Sequence, residues 1–199
     1  MPRLVLLLLL LAGMPAAARA EACGTPLLEV EHRDPADLDH ACEAFRRVEA
    51  FLLRERGLRL AAPVRLVFAE RVELPLDGSA TLRELGRYDH ATRTVMVTAG
   101  ASPWLGEPDR LMFGLPVDAE LHTSLVVHEL AHVVVRDNEA GPPDRGLAPA
   151  EYVAYVTQIA TMAPETRARV VAACDGRGFA SAEEINDMIM LMRPHEFGV

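Results

Sequence analysis

Two periodicities run along the chain, one of about two residues and one of 3.6, and they locate its elements. Residues 27–30 read as a short strand. Asp34 then reads as a helix N-cap with Pro35 in the first helical position. Leu38, Ala41, Cys42, Phe45, Val48 and Leu52 follow at helical spacing, and Gly57 supplies the stop. Val64, Leu66 and Phe68 alternate as strand residues do. Residues 86–88 and 93–97 predict a hairpin around Asp89-His90-Ala91-Thr92. Residues 99–116 form a loop rich in Pro and Gly that holds Trp104 and Phe113. Asp118 predicts the cap of a helix reaching about Asp137, broken by Gly141, Pro142 and Pro143. Pro149 opens another helix that stops near Pro164. Two more fit residues 164–174 and 182–192, the second opened by Ser181 and Glu184 as a capping-box pair. Strands with one helix come first and helices follow, so the fold class is α+β, with a small N-terminal mixed sheet and a C-terminal helical part.

The first segment changes this picture. Arg3 precedes the apolar residues 4–11, and Ala18-Arg19-Ala20 matches a small-residue cleavage site. That order predicts a signal peptide over residues 1–20 and one domain over residues 21–199. The apolar run is shorter than a membrane span. The expectation is an exported chain, periplasmic or secreted, with no stable membrane insertion after cleavage. A net charge of −9 argues against a nucleic-acid partner, which calls for basic residues against phosphate. Cys23, Cys42 and Cys174 allow three pairings in an oxidising compartment. Cys42, on the apolar stripe, equally fits a buried thiol.

The chemistry lies in His128-Glu129-Leu130-Ala131-His132. Residues four apart share a helix face, so His128 and His132 can direct two imidazoles at one ion. Glu129 falls beside them and is placed to take a proton from a metal-activated water. Val126, Leu130, Val133 and Val134 form an apolar stripe on the other side. The plain alternative is a core helix with satisfied histidines. A catalytic zinc takes a third protein ligand. The metzincin pattern would put His at position 138 and Gly at 135, but these are Asn138 and Val135. Asp137, Asp144 and Glu151 remain.

With Glu151 on the next helix and 18 residues between it and His132, the segment from His128 to about Met162 resembles the gluzincins, zinc peptidases related to thermolysin and the large zinc aminopeptidases. The resemblance implies a zincin-like fold. It also implies Zn2+ held by His128, His132 and Glu151, with Glu129 as general base. By this resemblance the hairpin corresponds to the sheet edge above the cleft. The chain departs from the thermolysin pattern at Tyr155, where that pattern has an Asp supporting the first His, and at Ala150, where an Asn often precedes the ligand Glu.

The expected activity is zinc-dependent hydrolysis of a peptide or protein substrate. The strand at residues 93–97 would align that substrate, and Trp104 and Phe113 would shape a pocket or pack in the core. Tyr155 shares the face of Glu151 and is a candidate to hydrogen-bond a ligand or to donate to an oxyanion. Gln158 continues that face as a weaker candidate. His122, on nearly the same side as Glu129, reads as solvated, with an acid or substrate contact as the alternative; His32, His40, His90 and His195 read as solvated. The rival expectation is a non-catalytic, zinc-stabilised binding protein on the same scaffold; a third is an exported domain with no metal.

Overall fold

A computed structural model describes residues 19–75, 81–108, 110–139, 146–174, 178–192 and 197. Residues 1–18 of the expected signal peptide, the expected helix break at Gly141, Pro142 and Pro143, Asp144 and His195 lie outside these residues. Strands β1 (Arg19–Ala22), β2 (Leu28–His32), β3 (Val64–Ala69), β6 (Gly86–Asp89) and β7 (Thr94–Thr98) form one sheet in the order β1-β2-β3-β7-β6. The central pairs β2–β3 and β3–β7 are parallel, and β1 and β6 close the two edges antiparallel. Short hairpins β4–β5 (Val72–Pro75, Thr81–Glu84) and β8–β9 (Leu111–Met112, Leu115–Pro116) lie apart from it. The architecture is therefore mixed α+β with a mixed sheet.

Leu28, Val30, Val64, Leu66, Phe68, Val95 and Val97 are buried, while Glu29 and Arg65 between them are exposed. One sheet face thus meets the helices and the other meets solvent, as the alternation dictates. Helix α1 (Pro35–Val48) starts at Asp34, whose carboxylate accepts from Ala36 N–H. It then widens into a π-helical segment (Glu49–Glu55) that ends at Gly57, where φ is +68°. A disulfide joins Cys23 to Cys42, tying the β1–β2 connection to α1. Cys174 is a half-buried thiol whose Sγ lies near Phe113 O.

Helix α2 (Ala119–Asn138) is the centre of the molecule. Asp118 caps it by accepting from Leu121 N–H. The expectation of one buried and one presented side gives way: every residue from Leu121 to Ala131 is buried. Sheet, α1 and α3 (Ala148–Thr161) surround it, so it packs as an interior helix does. At its end Asn138 donates to Arg59 O and Val134 O. Asp137 takes two hydrogen bonds from Arg93, in the β6–β7 turn, and one from Ala61 N–H. The hairpin is thereby fixed to the helix.

Helix α4 is Pro164–Ala173. The single helix expected over residues 182–192 is instead a 3-10 turn (Ala182–Glu184) and α5 (Asp187–Met192). Ser181 makes no capping bond to that turn, and the Glu184 carboxylate accepts from Ala180 N–H instead of closing the box. Asn186 breaks the helix and restarts it by accepting from Ile189 N–H.

Candidate metal centre

His128 and His132 face one point because they are one turn apart on α2, and α3 brings Glu151 to it from across the helix pair. His128 Nε2 lies 3.1 Å from His132 Nε2. Glu151 Oε2 lies 3.4 Å from His128 Nε2, and Oε1 lies 3.5 Å from His132 Nε2. A tetrahedral ion at roughly 2.0–2.1 Å from each donor sets donor separations of about 3.3–3.4 Å. The two imidazole nitrogens lie close to that spacing and each Glu151 oxygen approaches one of them, so the three side chains could hold a metal ion. Among the described residues this is the one group of three such side chains with converging donor atoms. Asp137 is committed to Arg93 and is not part of it.

The support behind His128 is Gln158, not Tyr155. His128 Nδ1 donates to Gln158 Oε1 at 3.1 Å, which leaves Nε2 bare toward Glu151 and His132. Gln158 is itself buried, and its amide nitrogen donates to Ser124 Oγ at 3.1 Å. Its place two turns beyond Glu151 was the available sequence signal. Tyr155 packs its ring on His128, with centroids 4.5 Å apart. Its hydroxyl makes no hydrogen bond to a ligand among the described residues. Burial, followed by the charges of Glu151 and Glu129, pushes that hydroxyl up to about 12, so it stays protonated.

Glu129 is 6 % exposed. Burial pushes its carboxyl up to about 7; Glu151 and Glu84 repel its charge while His128 opposes the shift. Glu84, at the end of β5, is a site neighbour that carries no periodic signal in the sequence. Burial drives His132 down to about 4, with His128 adding to the shift. Burial also disfavours charge on His128, yet a hydrogen bond accepted by the Glu151 carboxylate, with the charges of Glu129 and Glu151, raises its pKa overall. Glu151 is pushed up by burial, but its two histidine partners hold it below the ordinary carboxylate value.

Strand β6 runs directly over Glu129. A Cβ placed on Gly86 would lie 2.7 Å from Glu129 Cγ and Oε1, so this close approach requires glycine. The expectation that residues 93–97 offer a free edge fails. β7 is paired on both sides, with β3 and with β6, so its ladder groups are used. The outer strand beside the centre is β6.

Two cavities meet at Gly86, His128 and Glu129. One of 540 Å³ extends past Arg87, His90, Arg136 and Leu147. The other, of 240 Å³, is lined by apolar side chains including Leu85, Met112, Phe113 and Leu125, together with Tyr155. Phe113 is thus both buried and a cavity wall. Trp104 lies 4 % exposed beneath Arg110 and lines neither.

The solvated reading of His122 and His32 is also overturned. His122 is 2 % exposed and donates from Nε2 to Thr98 O at 2.8 Å. His32 is 4 % exposed and donates to Asp34 O. His40 is half-buried and bonded to Thr123 Oγ1.

Residues 28–199 match a family described as a family of unknown function, DUF6639, and the chain belongs to that family. No curated protein and no solved structure matches the chain.

Proposed function

We propose that the protein is a zinc-dependent peptidase of zincin-like fold, with zinc held by His128, His132 and Glu151 and with Glu129 as general base. The observation that carries this reading is the convergence of two imidazole nitrogens 3.1 Å apart and a carboxylate whose two oxygens lie 3.4 and 3.5 Å from them, beside the buried Glu129 and beneath the edge strand β6. Three protein donors leave a fourth position for water or substrate, which separates a catalytic site from a closed structural one. Zinc bound there supplies a lowered water pKa and polarises the scissile carbonyl.

The chain's own residues do the rest. Strand β6 pairs its outer edge with an extended peptide, which holds the scissile bond over the α2 histidines. Gly86, lacking a side chain, lets that peptide approach Glu129. Glu129 takes a proton from the attacking water on its carboxylate and passes it to the leaving amine. Gln158 fixes the His128 tautomer. The Tyr155 hydroxyl, protonated and at the cavity wall, donates to the oxyanion. The 240 Å³ cavity accepts an apolar side chain next to the scissile bond.

Export belongs to the same proposal. It is supported by the leader-like residues 1–20 and by a disulfide suited to an oxidising compartment. Among the described residues no helix is long and apolar enough to cross a membrane. The substrate is a peptide or protein, and no nucleic-acid partner is proposed. A peptide-library digest tests the activity: wild type loaded with zinc cleaves, and Glu129→Gln retains zinc without cleaving. Full cleavage by Glu129→Gln would exclude the proposed base, and zinc uptake without cleavage by wild type would favour the binding-protein reading.

A further inference from the structure

Helix α3 lacks a cap of its own. Its N-cap position is Leu147, with no side-chain acceptor, whereas α1 and α2 are capped locally by Asp34 and Asp118. The missing acceptor comes from the far end of the chain. Asp187 Oδ1 accepts from Leu147 N–H at 2.9 Å and from Ala148 N–H at 2.7 Å. The carboxylate lies against the bare Cα of Gly146, where φ is +78° and a Cβ would stand 2.5 Å from Asp187 Oδ2. Leu147 is then held from both sides, because its carbonyl accepts from Glu151 N–H at 3.1 Å. One short path of hydrogen bonds runs from Asp187 through Leu147 to the residue that carries the third donor.

Asp187 is free for this task because Asn186 caps α5 instead. Helix α5 has no buried residue, and Met188, Leu191 and Met192 are 67–73 % exposed. Core burial therefore does not explain its position, whereas the bond to α3 does. A carboxylate at a helix entrance also meets the positive end of the helix dipole.

We propose that Asp187 is a positioning residue for Glu151: the C-terminal segment sets the first turn of the ligand helix and so the geometry of the metal centre. This rests on the metal reading above. In the metal-free state Glu151 stays aligned only while its turn stays formed.

The test uses the full chain in wild-type form and as Asp187→Ala, Asp187→Asn and Arg47→Met. Zinc affinity is measured by competition with a chelator, and amide hydrogen exchange is followed at Leu147 and Ala148. Loss of a cap predicts about 5- to 30-fold weaker zinc binding for Asp187→Ala, with faster exchange at both amides. Asp187→Asn keeps an acceptor oxygen and recovers most of the affinity. Arg47→Met, destabilised far from the centre, binds zinc as wild type does, which separates positioning from general stability. Wild-type affinity in Asp187→Ala overturns the proposal, as does equal weakening by Arg47→Met. If wild type takes up no zinc, the metal reading fails. The exchange data still distinguish the two: faster exchange in Asp187→Ala locates the fault in the metal reading alone, and unchanged exchange removes the cap itself.

Discussion

At the residue scale, the centre depends on a few side chains whose environment sets their chemistry. Glu129 is an ordinary carboxylic acid until burial and two carboxylate neighbours push its pKa up to about 7. A base poised there exchanges protons near neutrality. Gly86 is its steric counterpart. Gly86→Ala would push Cβ into the body of the Glu129 side chain, not merely its tip. Such overpacking costs about 1–3 kcal/mol. The variant is expected to lose most of the cleavage rate while keeping its zinc, as read by kinetics beside elemental analysis. Gln158 is the counterpart for the metal. Gln158→Leu removes the acceptor of the His128 Nδ1 proton, and such partners are worth roughly 10–100-fold in metal affinity. Chelator competition at fixed pH measures it.

At the element scale, α2 is legible from the sequence because its histidines and its apolar stripe obey one period. The edge strand is not. Sequence order places β7 after β6, but β7 pairs back to β3 and leaves β6 outside, a matter of long-range registry. The split of residues 182–192 escaped for a similar reason: Asn186 caps α5 while Asp187 serves a helix some 40 residues earlier. The burial of His122 was readable, since it shares the α2 stripe with Val126 and Val133. The α1–α2 contact carries its own prediction. Burial raises the Glu120 carboxyl, but hydrogen bonds from Arg47 at 2.7 and 2.9 Å and from Ala163 N–H hold it below its ordinary value. A depressed carboxyl stabilises the fold above its unfolded pKa and loses that contribution as pH falls through the folded one. Arg47→Met is therefore expected to cost about 1.5–3 kcal/mol near neutrality and to move the acid-unfolding midpoint to higher pH. Circular dichroism against pH checks both.

At the scale of the whole molecule, the sheet edge, the buried helix α2 and the capped helix α3 each supply one part of the centre, and none holds it alone. Three pairings were open for the cysteines; the fold brings Cys23 beside Cys42 by laying α1 against the sheet. Closing that loop is worth about 3 kcal/mol. The double variant Cys23→Ser, Cys42→Ser should lose that amount in denaturant unfolding without losing zinc, because neither cysteine lines the cavities at the centre. The central claim is that His128, His132 and Glu151 hold one zinc ion together. Its most direct test is zinc per chain after equilibrium dialysis, by elemental analysis, for wild type, His132→Ala and Glu151→Ala. The account predicts equimolar zinc in wild type and large losses in both variants. Zinc retained undiminished in either variant, or no zinc in wild type, would contradict it.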